Sequence, residues 1–291
     1  MKSCASPDHR EKTAQGRPSF ILEPAAGETI YSYCARFHQI SGFDRSEVSS
    51  TALLGYAKGG ARPDFLVGLR QLEQITEGAI TSTEVGIKER TVMRAYFPLM
   101  SADRRLEAIE LLRSPFHSGS KRARVGLSWN EVTTVHELRL CTECLNNQRT
   151  QCGFGYWESA KQLPGVWICA THREILRFVP QQGPKRRDWI SASSAVTRPI
   201  CKTGFDHAVV NLLTRIEACI AWISSHGILD RDGLTMMTRT RLYEAHHFRN
   251  ETRVTFEELE ALQNKFIAPL VRAKIPHFVA LSDAEWMRQI L

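Results

Sequence analysis

No recognisable catalytic frame runs through this chain. It has no P-loop, no dinucleotide-binding fingerprint, no nucleophile elbow and no His-Glu-x-x-His pair. It also lacks the His-x-Glu plus Pro-Cys-x-x-Cys pattern of the zinc nucleobase deaminases. A non-enzymatic role is therefore expected. Internal repeats and low-complexity blocks are missing as well. Residues Met1 to Arg17 are polar and charged, without the apolar stretch of a signal peptide, and no later apolar run looks long enough to span a bilayer. A cytoplasmic protein with no membrane partner is expected. In that reducing compartment disulfides are rare, and paired cysteines more often hold metal.

What the chain does have is ordinary in bulk. It has 291 residues, 43% hydrophobic and 24% charged, enough for two compact domains or one domain with an appended module. The formal charge of +7 and the isoelectric point near 9.1 suit a polyanionic partner, although many unrelated enzymes share that balance.

Apolar residues at helical spacing predict a helix from Glu28 to Ser41, through Ile30, Tyr33, Cys34, Phe37 and Ile40, stopped by Gly42. A second is predicted from Asp44 to Leu54, with Asp44 as N-cap and Glu47 as its capping-box partner. A third is expected with Pro63 in its first turn and Leu66, Leu69, Leu72 and Ile75 along it. Such a cluster is either a helix-turn-helix or a small helical bundle with no interest in DNA. Ser101 should cap a helix through Arg113, with Leu106, Ile109 and Leu112 on one face. The stretch from Ser114 to Arg124 reads as a basic connector, and Gln181 to Pro199 as a polar linker. Helical periodicity returns in Val209 to Ile223. It returns again in Phe256 to Val271, where Thr255 is the expected N-cap and Glu258 its partner.

The segment 138–180 has a different texture, rich in Cys, Gly, Pro and aromatics, with no clean helical period. Two knuckles stand out in it, Cys141-Thr142-Glu143-Cys144 and Cys169-Ala170-Thr171-His172. Two residues between ligands let a tight turn aim both donors at one ion. The 24 residues between the knuckles leave room to bring them together. Three thiolates and an imidazole complete the tetrahedral shell that Zn prefers, leaving no position for an activated water, so one structural zinc is expected. Cys152, lying between the knuckles, is the competing ligand. Cys34 and Cys219 read as helix core residues, and Cys201 with His207 has no partner knuckle for a second metal site.

In their order these features resemble the TniQ/TnsD family of transposition target-selection proteins. The resemblance rests on Pro24, Gly27-Glu28-Thr29-Ile30-Tyr31-Ser32 and Ala35-Arg36, then Phe97-Pro98-Leu99. It continues through Cys141-x-x-Cys144, Gly155-Tyr156-Trp157, Leu163-Pro164-Gly165, and Cys169-x-x-His172 with Leu176. Thr142 and Ala170 stand where the family's knuckles usually carry proline, but no ligand is lost.

The resemblance implies a mainly α fold with an N-terminal helix-turn-helix-like helical domain, a central zinc-finger or zinc-ribbon module and a C-terminal helical region. On that division residues 1–18 are a disordered tail, 19–125 the helical domain, 126–180 the zinc module, 181–200 a linker and 201–291 the C-terminal region. It further implies a nucleoid-associated bacterial adaptor that binds target DNA or a guide-RNA complex and recruits the AAA+ ATPase regulator of a transposase. A homodimer is compatible with it. Arg36, Lys121, Arg122, Arg124, Lys185, Arg186 and Arg187 are the expected phosphate-neutralising residues, each set against an ordinary solvated run. The alternatives are a zinc-containing DNA-binding transcriptional regulator unrelated to transposition, and an enzyme with an unrecognised site.

Overall fold

The computed structural model describes residues 20–57, 63, 66–115, 137–180, 188–200, 205–227 and 229–245. It also describes 247, 249, 250, 255, 257, 258, 261, 265 and 268–273. The tail 1–18, Lys121, Arg122, Arg124, Lys185, Arg186, Arg187 and Cys201 lie outside these residues.

The described part is mainly helical. Helix α1 (Ile30–Ser41) starts where Thr29 Oγ1 accepts from Ser32 N, and it ends at Gly42 in the left-handed conformation. Its residues Ile30, Tyr33, Cys34 and Phe37 are buried, as the periodicity demands. Helix α2 (Ser46–Leu54) begins two residues later than expected; Arg45, with no side-chain cap, holds the position assigned to Asp44. Helix α3 (Leu69–Ile75) starts after Gly68, so Pro63 is not in its first turn. Next come α4 (Glu84–Arg90), which had no strong period, and two 3₁₀ turns, Val92–Ala95 and Phe97–Leu99. Helix α5 (Ala102–Arg113) is capped by Ser101 as expected. Its buried face is Ala108, Ile109, Leu111 and Leu112, whereas Leu106 is 62% exposed.

Gly68 fixes how α2 and α3 meet. Its φ is +78°, and a Cβ there would lie 2.0 Å from the Leu54 carbonyl oxygen. Gly68→Ala is therefore expected to cost about 2–3 kcal/mol, read as a melting temperature lower by roughly 5–10 °C.

Beyond residue 137, strand β1 (Arg139–Leu140) pairs antiparallel with β2 (Arg177–Phe178) in the register Arg139↔Phe178 and Leu140↔Arg177. Between them lie α6 (Thr142–Cys152) and the single turn α7 (Ser159–Gln162). The main core does not respect the expected division at residue 125. Leu138, Leu140, Trp157, Val179, Trp189 and Ala192 join the α1–α5 residues in one apolar cluster. Part of the expected linker is built into it too. Trp189 donates its backbone N–H to Ser46 Oγ (3.2 Å) and its indole N–H to Ser49 Oγ (3.1 Å), with its ring 5.1 Å from that of Tyr31.

Helix α8 (His207–Ser225) is capped by Asp206. Val209 and Leu213 pack it on Trp167 and Ile168, together with Leu270 of the short helix α10 (Ala268–Arg272). By length and composition alone α8 is apolar enough to cross a membrane, with a mean hydropathy of 1.3, which corrects the expectation that no run reaches that length. Cys219 is exposed on it and is not a core residue. Helix α9 (Arg231–Glu244) leaves Met236, Met237 and Tyr243 exposed. The expected capping box forms further on: Glu258 N donates to Thr255 Oγ1 (3.4 Å), and Thr255 N to Glu258 Oε2 (2.8 Å).

Candidate metal centre

The two knuckles converge. Cys141 and Cys144 flank the start of α6, and Cys169 and His172 lie in a loop closed by two backbone hydrogen bonds. These run from Cys169 N to Glu174 O and from Arg173 N to Cys169 O, both 2.8 Å. The donor atoms of all four residues lie within 4.8 Å of one another, so they can hold one metal ion. His172 Nδ1 is 3.3 Å from Cys141 Sγ, 3.3 Å from Cys144 Sγ and 3.6 Å from Cys169 Sγ, and Cys144 Sγ is 3.7 Å from Cys169 Sγ. Ligands about 2.3 Å (sulfur) and 2.0–2.1 Å (nitrogen) from a tetrahedral ion are separated by about 3.8 Å (S–S) and 3.6 Å (S–N). The donors fit such a shell, with His172 presenting Nδ1. Cys152 is exposed at the far end of α6 and takes no part.

The thiols differ in how readily they ionise. Burial pushes Cys141 up to about 12 and raises Cys144 as well, though the Lys161 ammonium beside Cys144 acts the other way. Burial also opposes ionisation of Cys169, but the backbone N–H groups of His172 and Thr171 and the His172 ring hold it below the ordinary thiol value. An ion must displace protons from these sulfurs, so protons compete with it. Metal affinity is expected to fall steeply as pH falls from 8 to 6, with log K changing by about two to three per pH unit. Chelator competition measures this, and a pH-independent affinity would exclude binding through thiolates.

Arg139, missed in the sequence, is the buried clamp of this module. Its guanidinium donates to the carbonyls of Val166 (2.6 Å), Gln162 (2.7 Å) and Leu163 (3.1 Å), and it lies 4.8 Å over the Trp167 ring. It thereby holds the Leu163-Pro164-Gly165 turn that leads into the second knuckle. Burial lowers its pKa to about 10, partly opposed by Glu137 and Tyr96. A basic residue between Leu138 and Leu140, in a segment of apolar character, was the available signal.

A second polar network ties the module to α1. Glu28 is fully buried, and its carboxylate accepts from Arg36 Nε (3.2 Å) and Nη2 (2.8 Å), Ser32 Oγ (3.0 Å) and Ala25 N (3.0 Å). Ser32 Oγ in turn accepts from Trp157 N (3.0 Å), and Thr29 N donates to Trp157 O (2.9 Å). The Trp157 indole N–H donates to Ile190 O (2.7 Å). The Arg36 guanidinium also lies 4.2 Å over the Phe154 ring. Arg36 is 8% exposed and bound to Glu28, which corrects the expectation that it faces a phosphate.

Glu28, Ser32 and Arg36 with Gly155-Tyr156-Trp157, and the ligands with Leu163-Pro164-Gly165, are thus two halves of one folded unit. A sequence model of the TniQ family matches residues 19–176, which contain all of them. Over 163 residues the chain is 27% identical to the Escherichia coli protein named Transposon Tn7 transposition protein TnsD. That match covers 53% of this chain and 30% of the length of the relative. With more than half of its residues inside the family match, the chain belongs to the TniQ family.

Proposed function

We propose that this protein is a transposition target-selection adaptor, in which Cys141, Cys144, Cys169 and His172 hold one structural zinc ion. The observation that carries the reading is the family match over residues 19–176, with the four converging ligands inside it. The similarity to a protein named for Tn7 transposition adds to it. Three sulfurs and one imidazole suit zinc, and a shell filled by protein donors has no open position for a reacting water. The metal then acts as a strut. It braces the turn held by Arg139 and, through Trp157, the first helix.

In this reading the chain has no chemistry of its own. It engages nucleic acid, either target DNA directly or a guide-RNA complex, and recruits the AAA+ ATPase regulator of a transposase. The helices α1–α3 serve as a helix-turn-helix-like element, and the protein works in the bacterial cytoplasm. The net charge of +7 supports a polyanionic partner. The test is a pull-down of the AAA+ regulator by the full chain, with and without ATP. Co-purification in at least one condition is expected. Absence of binding in both removes the adaptor reading.

A further inference from the structure

The second knuckle ends on an unusual backbone. Arg173, directly after the ligand His172, has φ +58°, a conformation that bulky residues rarely adopt and glycine adopts freely. The turn demands that conformation, because Arg173 N closes it onto Cys169 O (2.8 Å). Glycine would relax it. The arginine side chain does not repay the strain within the fold: it is exposed, and its guanidinium has no partner among the described residues. The neighbours Ala170 and Thr171 are small and exposed, leaving the tip open to close approach by an extended backbone. Glu174 beside it is also exposed and lies 3.7 Å from Cys141 Sγ through Oε2, so Arg173 is the positive charge presented at the tip.

We propose that Arg173 is a nucleic-acid contact, a guanidinium aimed at a backbone phosphate from a base made rigid by the metal. Backbone strain of this kind clusters at sites where function uses the side chain. A planar, permanently charged fork suits phosphate. The inference rests on the nucleic-acid reading above and adds to it one residue and one surface, the tip of the second knuckle.

The test compares the full-length wild type with Arg173→Gly and Arg173→Lys. Melting temperature is measured, and binding of a 30-base-pair DNA duplex and of a single-stranded RNA is followed by fluorescence anisotropy across a salt series. Arg173→Gly should melt about 2–3 °C higher, yet bind its nucleic acid about five-fold more weakly. Its salt slope should be shallower by about 0.9 for duplex DNA or 0.7 for single-stranded RNA. Arg173→Lys should keep the wild-type slope. Whichever of DNA and RNA shows the change identifies the source of the phosphate. Wild-type binding with an unaltered slope in Arg173→Gly overturns the inference alone, and no wild-type binding to either overturns the nucleic-acid reading with it. Should Arg173→Gly fold poorly, Arg173→Asn, which also tolerates this backbone, gives the same readings.

Discussion

Replacing Cys169 with serine is expected to lower the melting temperature by about 10 °C or more. Around the ligands the local apolar cluster is small: Leu163, Val166 and Leu176, with the sulfurs of Cys141 and Cys169 forming part of it. A cluster of that size does not hold two knuckles together, so a bound ion would supply the difference. Removing a ligand loses most of that free energy and leaves polar donors partly buried without a partner. A loss on the order of 4 kcal/mol is expected, and at about 2–4 °C per kcal/mol this gives the stated shift. The measurement is a thermal melt followed by circular dichroism, with and without a strong chelator. Wild type in chelator should approach the variant, and the variant should not respond. A variant melting within about 2 °C of wild type would show that the site has no structural task.

Arg36→Met should be nearly as damaging, for a different reason. Glu28 is fully buried, and Arg36 is the one cation paired with it among the described residues. Leaving a buried carboxylate without its guanidinium typically costs about 3–5 kcal/mol, whereas replacing both partners with neutral groups costs far less. The double variant Glu28→Gln with Arg36→Met should therefore recover part of the stability lost in the single one. A phosphate-contacting arginine behaves otherwise. Its removal leaves stability alone and flattens the salt dependence of binding. An Arg36→Met protein with wild-type stability and weakened nucleic-acid binding would restore the original expectation for this residue.

Much of the site was legible because its signal is local. Cys141-x-x-Cys144 and Cys169-x-x-His172 each specify a turn, and the turn aims both ligands whatever surrounds it. Helix α1 was legible because Ile30, Tyr33, Cys34 and Phe37 recur at the helical period and Thr29 and Gly42 bound it. Helix α6 was not. Thr142–Cys152 is almost wholly polar, with Leu145 its only large apolar residue, so it has no stripe to read, and its position comes from the first knuckle and the core around it.

Charge was the poorest guide. Arg36 and Arg139 look like surface residues in the sequence, yet both are buried, one by a carboxylate eight residues upstream and one by carbonyls more than twenty residues downstream. The first pairing leaves only the spacing of four from Glu28 through Ser32 to Arg36, and the second, across more than twenty residues, leaves no periodic trace. The expected linker failed similarly: its polar composition hides Trp189, whose partners Ser49 and Ser46 are 140 and 143 residues away. On α5, Leu106 fits the helical period but lies outside the stripe that the neighbouring helices cover, so its exposure is set by packing.

Native mass spectrometry of the full chain tests the central claim most directly. The mass should exceed that of the polypeptide by one zinc ion, less the thiol protons it displaces, and Cys152→Ser should keep the ion while Cys169→Ser loses it. A wild-type chain purified with zinc available that carries none, or a Cys169→Ser chain that retains one, would contradict the account.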